Sequence, residues 1–226
     1  MTNGPILYTK HKHWLNRLVL IIASLVIFSV SAQQEVHFKV VDQFGAPVAN
    51  AVVSTDGAVL DGAETTAVMD QINKQFAPHV LVVQKGQSVR FPNSDDIRHH
   101  IYSFSQPKPF EIRLFKGEES IPVTFDQPGV AVLGCNIHDQ MIGYIYIADH
   151  ELTTVTNENG EAILHTRATE FNIWQAQLSS SHSERLYITR DASDIGLQKV
   201  TLNLLEERKA HVKQRKFSRK FSSGEP

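Results

Sequence analysis

An all-β sandwich is predicted for this chain by three observations. Short runs rich in β-branched and aromatic residues recur at a spacing of roughly 8–12 residues. Clusters of Gly, Pro, Asn and Asp separate those runs. No long stretch carries helical periodicity, and residues 63–76 read as a helical turn or two at most. The 226 residues leave room for one to two domains with a sizeable core. Twelve Gly and nine Pro are too few for a low-complexity or collagen-like chain.

In order, Val36 to Asp42 alternates apolar and polar residues, then turns at Gln43-Phe44-Gly45 into Pro47 to Ser54, which is a hairpin pattern. Strand runs follow at Val80 to Val83, Ser88 to Phe91, Ile101 to Ser105, Pro122 to Phe125, Val130 to Leu133 and Gly143 to Ala148. Lys85-Gly86, Pro92 to Asp96, Lys116-Gly117 and Pro128-Gly129 punctuate them. Thr153 to Thr156 and Ala162 to His165 flank an Asn-Gly turn, and Phe171 to Leu178, Arg185 to Thr189 and Val200 to Leu204 add three more candidates.

The two ends differ from this body. Lys10, Lys12 and Arg17 precede the 13-residue apolar run Leu18 to Val30, and Val30-Ser31-Ala32 supplies small residues, the pattern of a secretory signal peptide cut after Ala32. That predicts a periplasmic protein with no stable span after cleavage. The run is short for a hydrocarbon core of about 30 Å, but an uncleaved form would stay anchored to the membrane. Without those three bases, 19 basic residues face 24 acidic ones, a net of −5. Seven bases (Arg208, Lys209, Lys213, Arg215, Lys216, Arg219 and Lys220) crowd the last 19 residues, opposed only by Glu225. This tail reads as a solvated, disordered extension that can contact anionic surfaces. The absence of a global basic field argues against nucleic acid. The expected organisation is 1–32 signal peptide, 33–149 main β domain, 150–206 accessory β-rich region and 207–226 tail.

Cys135 is the only cysteine, which excludes an internal disulfide, a CxxC redox pair and a multi-cysteine zinc site. It opens the loop Cys135-Asn-Ile-His138-Asp-Gln-Met141 between two strand runs, with His99-His100 at the start of an earlier strand. Singly, the cysteine reads as a small buried hydrophobe, Met141 as core and His138 as a satisfied polar residue. Jointly, a thiolate, imidazoles and a thioether form the donor set that selects copper, whereas zinc prefers four stronger donors. Ligation also protects a thiol in an oxidising compartment. A Cys–His hydrolase is the rival chemistry, but no third group to orient the histidine is evident and Met141 would be idle. Neighbouring residues on a strand face opposite sides, so only one of His99 and His100 is expected to bind.

These residues resemble the cupredoxins, small Greek-key β-sandwich blue copper proteins. The Cys135-x2-His138-x2-Met141 loop is similar to that of amicyanin. The runs Phe76 to Gly86, Val89 to Asp95, His99 to Ser105 and Gly134 to Asp139 resemble the plastocyanin-like group labelled methylamine utilisation proteins of Gram-negative bacteria. The resemblance spans about Val36 to Asp149. It makes His99 the first ligand, with Cys135, His138 and an axial Met141 completing one type 1 copper site, and sets His100 and Asn136 beside the ligands. His100 stands where the family has Asn. It further implies electron transfer with a redox partner such as a dehydrogenase or cytochrome, an electron port at His138 and a docking surface near Ile137 and Met141, and no enzymatic activity. His37, His79, His150 and His165 are left as ordinary surface or structural residues. Val40 to Val48 and Thr156 to Glu161 resemble the carboxypeptidase regulatory-like sandwich, which raises an accessory sandwich carrying the copper module. The alternatives are a copper delivery or sensing module with the same ligands, and a structural β-sandwich adaptor in which the copper set is vestigial.

Overall fold

The computed structural model describes residues 34–57, 65–117 and 121–206. The expected signal segment and basic tail lie outside them. Among the described residues the secondary structure is entirely β, as expected, and no helix is long and apolar enough to cross a membrane. In chain order the strands are β1 (Glu35–Asp42), β2 (Val52–Asp56), β3 (Ala67–Val68), β4 (Asp70–Ile72), β5 (Gln75–Ala77) and β6 (Val80–Gln84). Then come β7 (Ser88–Arg90), β8 (His99–Ser103), β9 (Phe110–Phe115), β10 (Val123–Thr124), β11 (Gly129–Gly134) and β12 (Ile142–Ala148). The last are β13 (Glu151–Val155), β14 (Glu161–His165), β15 (Glu170–Trp174), β16 (Arg185–Thr189) and β17 (Gln198–Leu202).

Two cores organise these strands. In one, the five-stranded sheet β6-β12-β11-β8-β9 and the three-stranded sheet β10-β7-β3 enclose Val83, Val89, Phe91, Ile101, Phe125, Leu133, Ile145 and Ile147, with Cys135 and Met141. In the other, sheets β14-β1-β17 and β13-β2-β15-β16 enclose Phe38, Val40, Val53, Leu164, Phe171, Ile173 and Leu202. The expected boundary at 149 therefore does not coincide with the strand pairing. Among the described residues, β1 and β2, assigned by sequence to the main domain, pair with strands beyond Ala148. Residues 65–148 form an insertion whose two ends meet, because β2 and β13 pair antiparallel with Asp56 opposite Glu151. Alternation in β1 specifies which face is buried but not which strand lies alongside.

A third apolar cluster joins the two sandwiches. Tyr144, Tyr146 and Ala148 on the outer face of β12, with Val80, pack against Val52, Trp174 and Ala176. This explains why β12 reads as an almost continuous apolar run: Ile145 and Ile147 serve one core while the tyrosines serve the seam. The seam also holds polar groups. Tyr146 Oη donates to Glu151 Oε2 at 2.8 Å and lies 3.2 Å from Ser54 Oγ. Arg185 Nη1 donates to Glu151 Oε1 at 2.7 Å while its guanidinium stacks 4.8 Å over the Tyr146 ring. Burial pushes the Tyr146 phenol well above its ordinary range, so it remains a donor.

The sequence reading fails at two expected hairpins, since β1 and β2, and likewise β13 and β14, lie in different sheets instead of pairing across their turns. It fails again at residues 63–76. They contain no helical turn among the described residues but three short strands, with Met69 and Gln71 alternating inward. β4 and β5 are joined by a two-residue turn in which Asn73 and Lys74 have φ of 55° and 59°. Hairpins of this kind usually announce themselves by Asn-Gly; a lysine in the left-handed region is unfavourable by about 1 kcal/mol and hides the signal.

Candidate metal centre

β11 and β12 are neighbours, paired from Gly129 opposite Ile147 to Gly134 opposite Ile142, and the loop between them carries Cys135, His138 and Met141. The loop is tightened by Met141 N–H donating to the His138 carbonyl at 2.9 Å and by Ile142 N–H donating to that of Gln140 at 3.1 Å. Its entry is a glycine, which leaves room for a neighbouring ring. A Cβ on Gly134 would lie 2.6 Å from the Tyr102 ring, which packs across from β8.

β8 brings the second component. Its register against β9 shifts between His99 and Ile101. His99, Ile101 and Ser103 face inward, and His99 has no exposed surface. The His99 and His138 rings lie 5.1 Å apart, tilted by 57°. Their Nδ1 atoms are 3.8 Å and 3.9 Å from Cys135 Sγ. The three donor atoms all lie within 4.8 Å of one another. Cys135 is 3% exposed and Met141 1%, whereas His138 is half-buried beside the exposed Ile137. Two imidazole nitrogens and a thiol sulfur facing one small space, with a thioether residue in the same core, form a donor set that fits a soft-to-borderline metal such as copper.

His100 takes the opposite face of β8. It does not face the thiol; its Nδ1 meets Asn136 Nδ2, and its Nε2 sits 2.9 Å from Glu111 Oε1 at an angle too bent for a hydrogen bond. The two residues that sequence set beside the ligands therefore bond each other. His37 and His165 lie near Glu35, His150 near Asp149, and the His79 ring against Tyr144; none belongs to the cluster.

Asp95 is the functional residue that the sequence reading missed. Its Oδ2 lies 2.7 Å from His99 Nε2, on the side of the ring away from Cys135. The same oxygen accepts the Lys74 N–H at 2.8 Å and Oδ1 accepts the Asn73 N–H at 2.6 Å. Burial disfavours the ionised carboxyl, but bonds from Lys74, His99 and Asn73 outweigh it and hold the Asp95 pKa below its ordinary value. The turn carrying Asp95 is braced by Asn93, whose Nδ2 donates to the Ile97 and Phe115 carbonyls at 2.9 Å each. It is braced again by Ser94 Oγ, which donates to Asp70 at 2.7 Å. An Asp four residues ahead of the candidate ligand was the available signal, masked by its place in a turn-rich run.

No protein-family profile and no curated protein matches the chain. Solved structures do resemble it. One is a copper-containing nitrite reductase from Thermus scotoductus, at 27% identity and TM-score 0.35, covering 40% of this chain and 25% of that one. Another is a purple cupredoxin from Nitrosopumilus maritimus, at 20% identity and TM-score 0.33, covering 36% of this chain and 99% of that one. A third is an oxidised amicyanin variant, at 18% identity and TM-score 0.35, covering 44% of this chain and 99% of that one. The chain thus spans about a quarter of the nitrite reductase's length and nearly all of the two small copper proteins.

Proposed function

We propose that this is an exported, periplasmic copper protein that carries single electrons between redox partners. The observation that carries this reading is the convergence of His99 Nδ1, His138 Nδ1 and Cys135 Sγ on one buried space, with Met141 in the same core. His99, Cys135 and His138, with Met141, would hold the ion. Copper held there would supply a one-electron couple. The protein's part is to keep the ligands in place in both oxidation states: His99 is fixed from a strand, and Cys135 and Met141 from either side of a hydrogen-bonded loop. Four protein ligands leave no position for substrate, which supports a carrier over an enzyme. Likeness to the methylamine utilisation group extends the proposal to exchange with a dehydrogenase or cytochrome. Copper titration of the purified protein tests it. An intense visible band that reductant bleaches reversibly is expected; a colourless or zinc-preferring protein under copper-replete conditions would refute it.

The route for the electron follows from exposure. His138 reaches the surface between Ile137, 50% exposed, and Ile142, 42% exposed. An apolar rim of this kind suits a transient redox partner, and the Ile137→Asp variant is expected to slow electron exchange about tenfold or more without moving the visible band. An unchanged rate, measured by stopped flow with a small redox protein, would move the port elsewhere.

The line Asp95–His99–Cys135 also has the order of an acid, a base and a nucleophile, supplying the third group that the hydrolase reading lacked. Burial supports the copper reading: the thiol is 3% exposed and lies behind a histidine with no exposed surface, which disfavours access by a substrate. The same burial supports retention of the metal over the ready exchange needed for delivery. Iodoacetamide is expected to alkylate Cys135 in the metal-free folded protein at least tenfold more slowly than in the unfolded chain. Alkylation at or above the unfolded rate would revive the hydrolase reading.

A further inference from the structure

Among the described residues, Asp95 is the carboxylate hydrogen-bonded to a candidate metal ligand, and its surroundings suit a carboxylate specifically. Three N–H groups converge on its two oxygens: Asn73 on Oδ1, and Lys74 and His99 Nε2 on Oδ2. Both oxygens already accept a backbone N–H, and a hydrogen bond donated by His99 Nε2 completes the set. That contact turns Nδ1 toward Cys135. The two backbone donors come from the β4–β5 turn, whose left-handed Asn73 and Lys74 aim successive N–H groups at the carboxylate. The unfavourable conformation of that turn thus has a return: it clamps the group that clamps the imidazole.

We propose that Asp95, held by the β4–β5 turn, is a positioning residue that presets His99 in the orientation needed for metal binding before any metal arrives. As a statement about ligation it rests on the copper reading above; as a statement about the imidazole it does not. Carboxylate–histidine–metal arrangements fix the ring and raise its donor strength, and their loss commonly costs on the order of 10–100-fold in metal affinity. Asparagine cannot substitute for the aspartate. Whichever end carries the NH2 group, that end faces an N–H donor, either that of Asn73 or those of Lys74 and His99. The variant must therefore give up at least one of the three bonds.

The test has two arms. In metal-free wild-type protein, long-range ¹H–¹⁵N NMR is expected to show a proton on His99 Nε2, hydrogen-bonded and slow to exchange with solvent; an Nε2 without a proton would overturn the proposal without any variant. For Asp95→Asn, a second set of His99 resonances and a copper affinity lower by on the order of 10–100-fold are expected, with a shifted reduction potential. Asp70→Asn is the control for general loosening, because Asp70 braces the same turn through Ser94 without reaching His99. It should leave affinity within about twofold of wild type. Equal losses in the two variants, or no loss in Asp95→Asn, would reduce Asp95 to a structural residue. A wild-type protein that binds no copper would refute the copper reading, while the imidazole measurement would still decide this one.

Discussion

Replacing Cys135 by serine is expected to abolish the intense visible band of the copper-loaded protein completely while leaving the chain folded. The band in question arises from charge transfer between a thiolate sulfur and Cu(II), which an alcohol oxygen cannot supply. The softest donor of the set is also lost, so copper affinity should fall by orders of magnitude. Folding should survive because serine is no larger than cysteine. Its hydroxyl would lie near His99 Nδ1 and His138 Nδ1, which are 3.8 Å and 3.9 Å from the present sulfur. A stability change within about 1–2 kcal/mol is therefore expected for burying a polar group with acceptors at hand. Copper titration followed by absorption, with thermal unfolding of the metal-free protein alongside, separates these outcomes. A serine variant that keeps the band would remove Cys135 from the site.

The largest stability effect is expected at Trp174. Its side chain is fully buried, its ring lies 5.7 Å from Tyr144 and 5.8 Å from Tyr146, and its Nε1 donates to the His182 carbonyl at 2.8 Å. Trp174→Ala removes that volume from the seam between the sandwiches, and large-to-small changes of this kind cost about 3–5 kcal/mol. The mechanical consequence is the more informative one. Tyr144 and Tyr146 lie on the strand that leaves the metal loop, with their inward neighbours Ile145 and Ile147 in the core that contains Cys135. The variant is expected to unfold in two resolved transitions in urea where wild type unfolds in one. A single transition with an unchanged midpoint would show that the insertion and its carrier sandwich are held together by something other than this seam.

How far each feature was legible follows from the range over which its determinants act. The ligand loop was legible because Cys135, His138 and Met141 lie within seven positions of one another, and donor chemistry together with the strands on either side implies one site. The inward direction of His99 was legible given the resemblance, since alternation forces His99 and His100 onto opposite faces. The β4–β5 hairpin was not, because Asn73-Lys74 adopts a turn that sequence ordinarily assigns to Asn-Gly. Asp95 was not, because its importance depends on three donors brought to its own turn from another turn and a strand.

The sequence by itself determined the all-β class, the positions of most strands and a soft donor set whose members are near each other in the chain. These are local properties, written in side-chain alternation, turn residues and ligand spacing. Only the tertiary structure decided that β1 runs parallel to β17 and that β2 lies between β13 and β15. Only it decided that residues 65–148 form an insertion on a carrier sandwich, and that a carboxylate stands behind His99. Strand alternation has a period of two and records which face is buried, never which distant strand or side chain lies against it; that choice is made by packing across the whole fold.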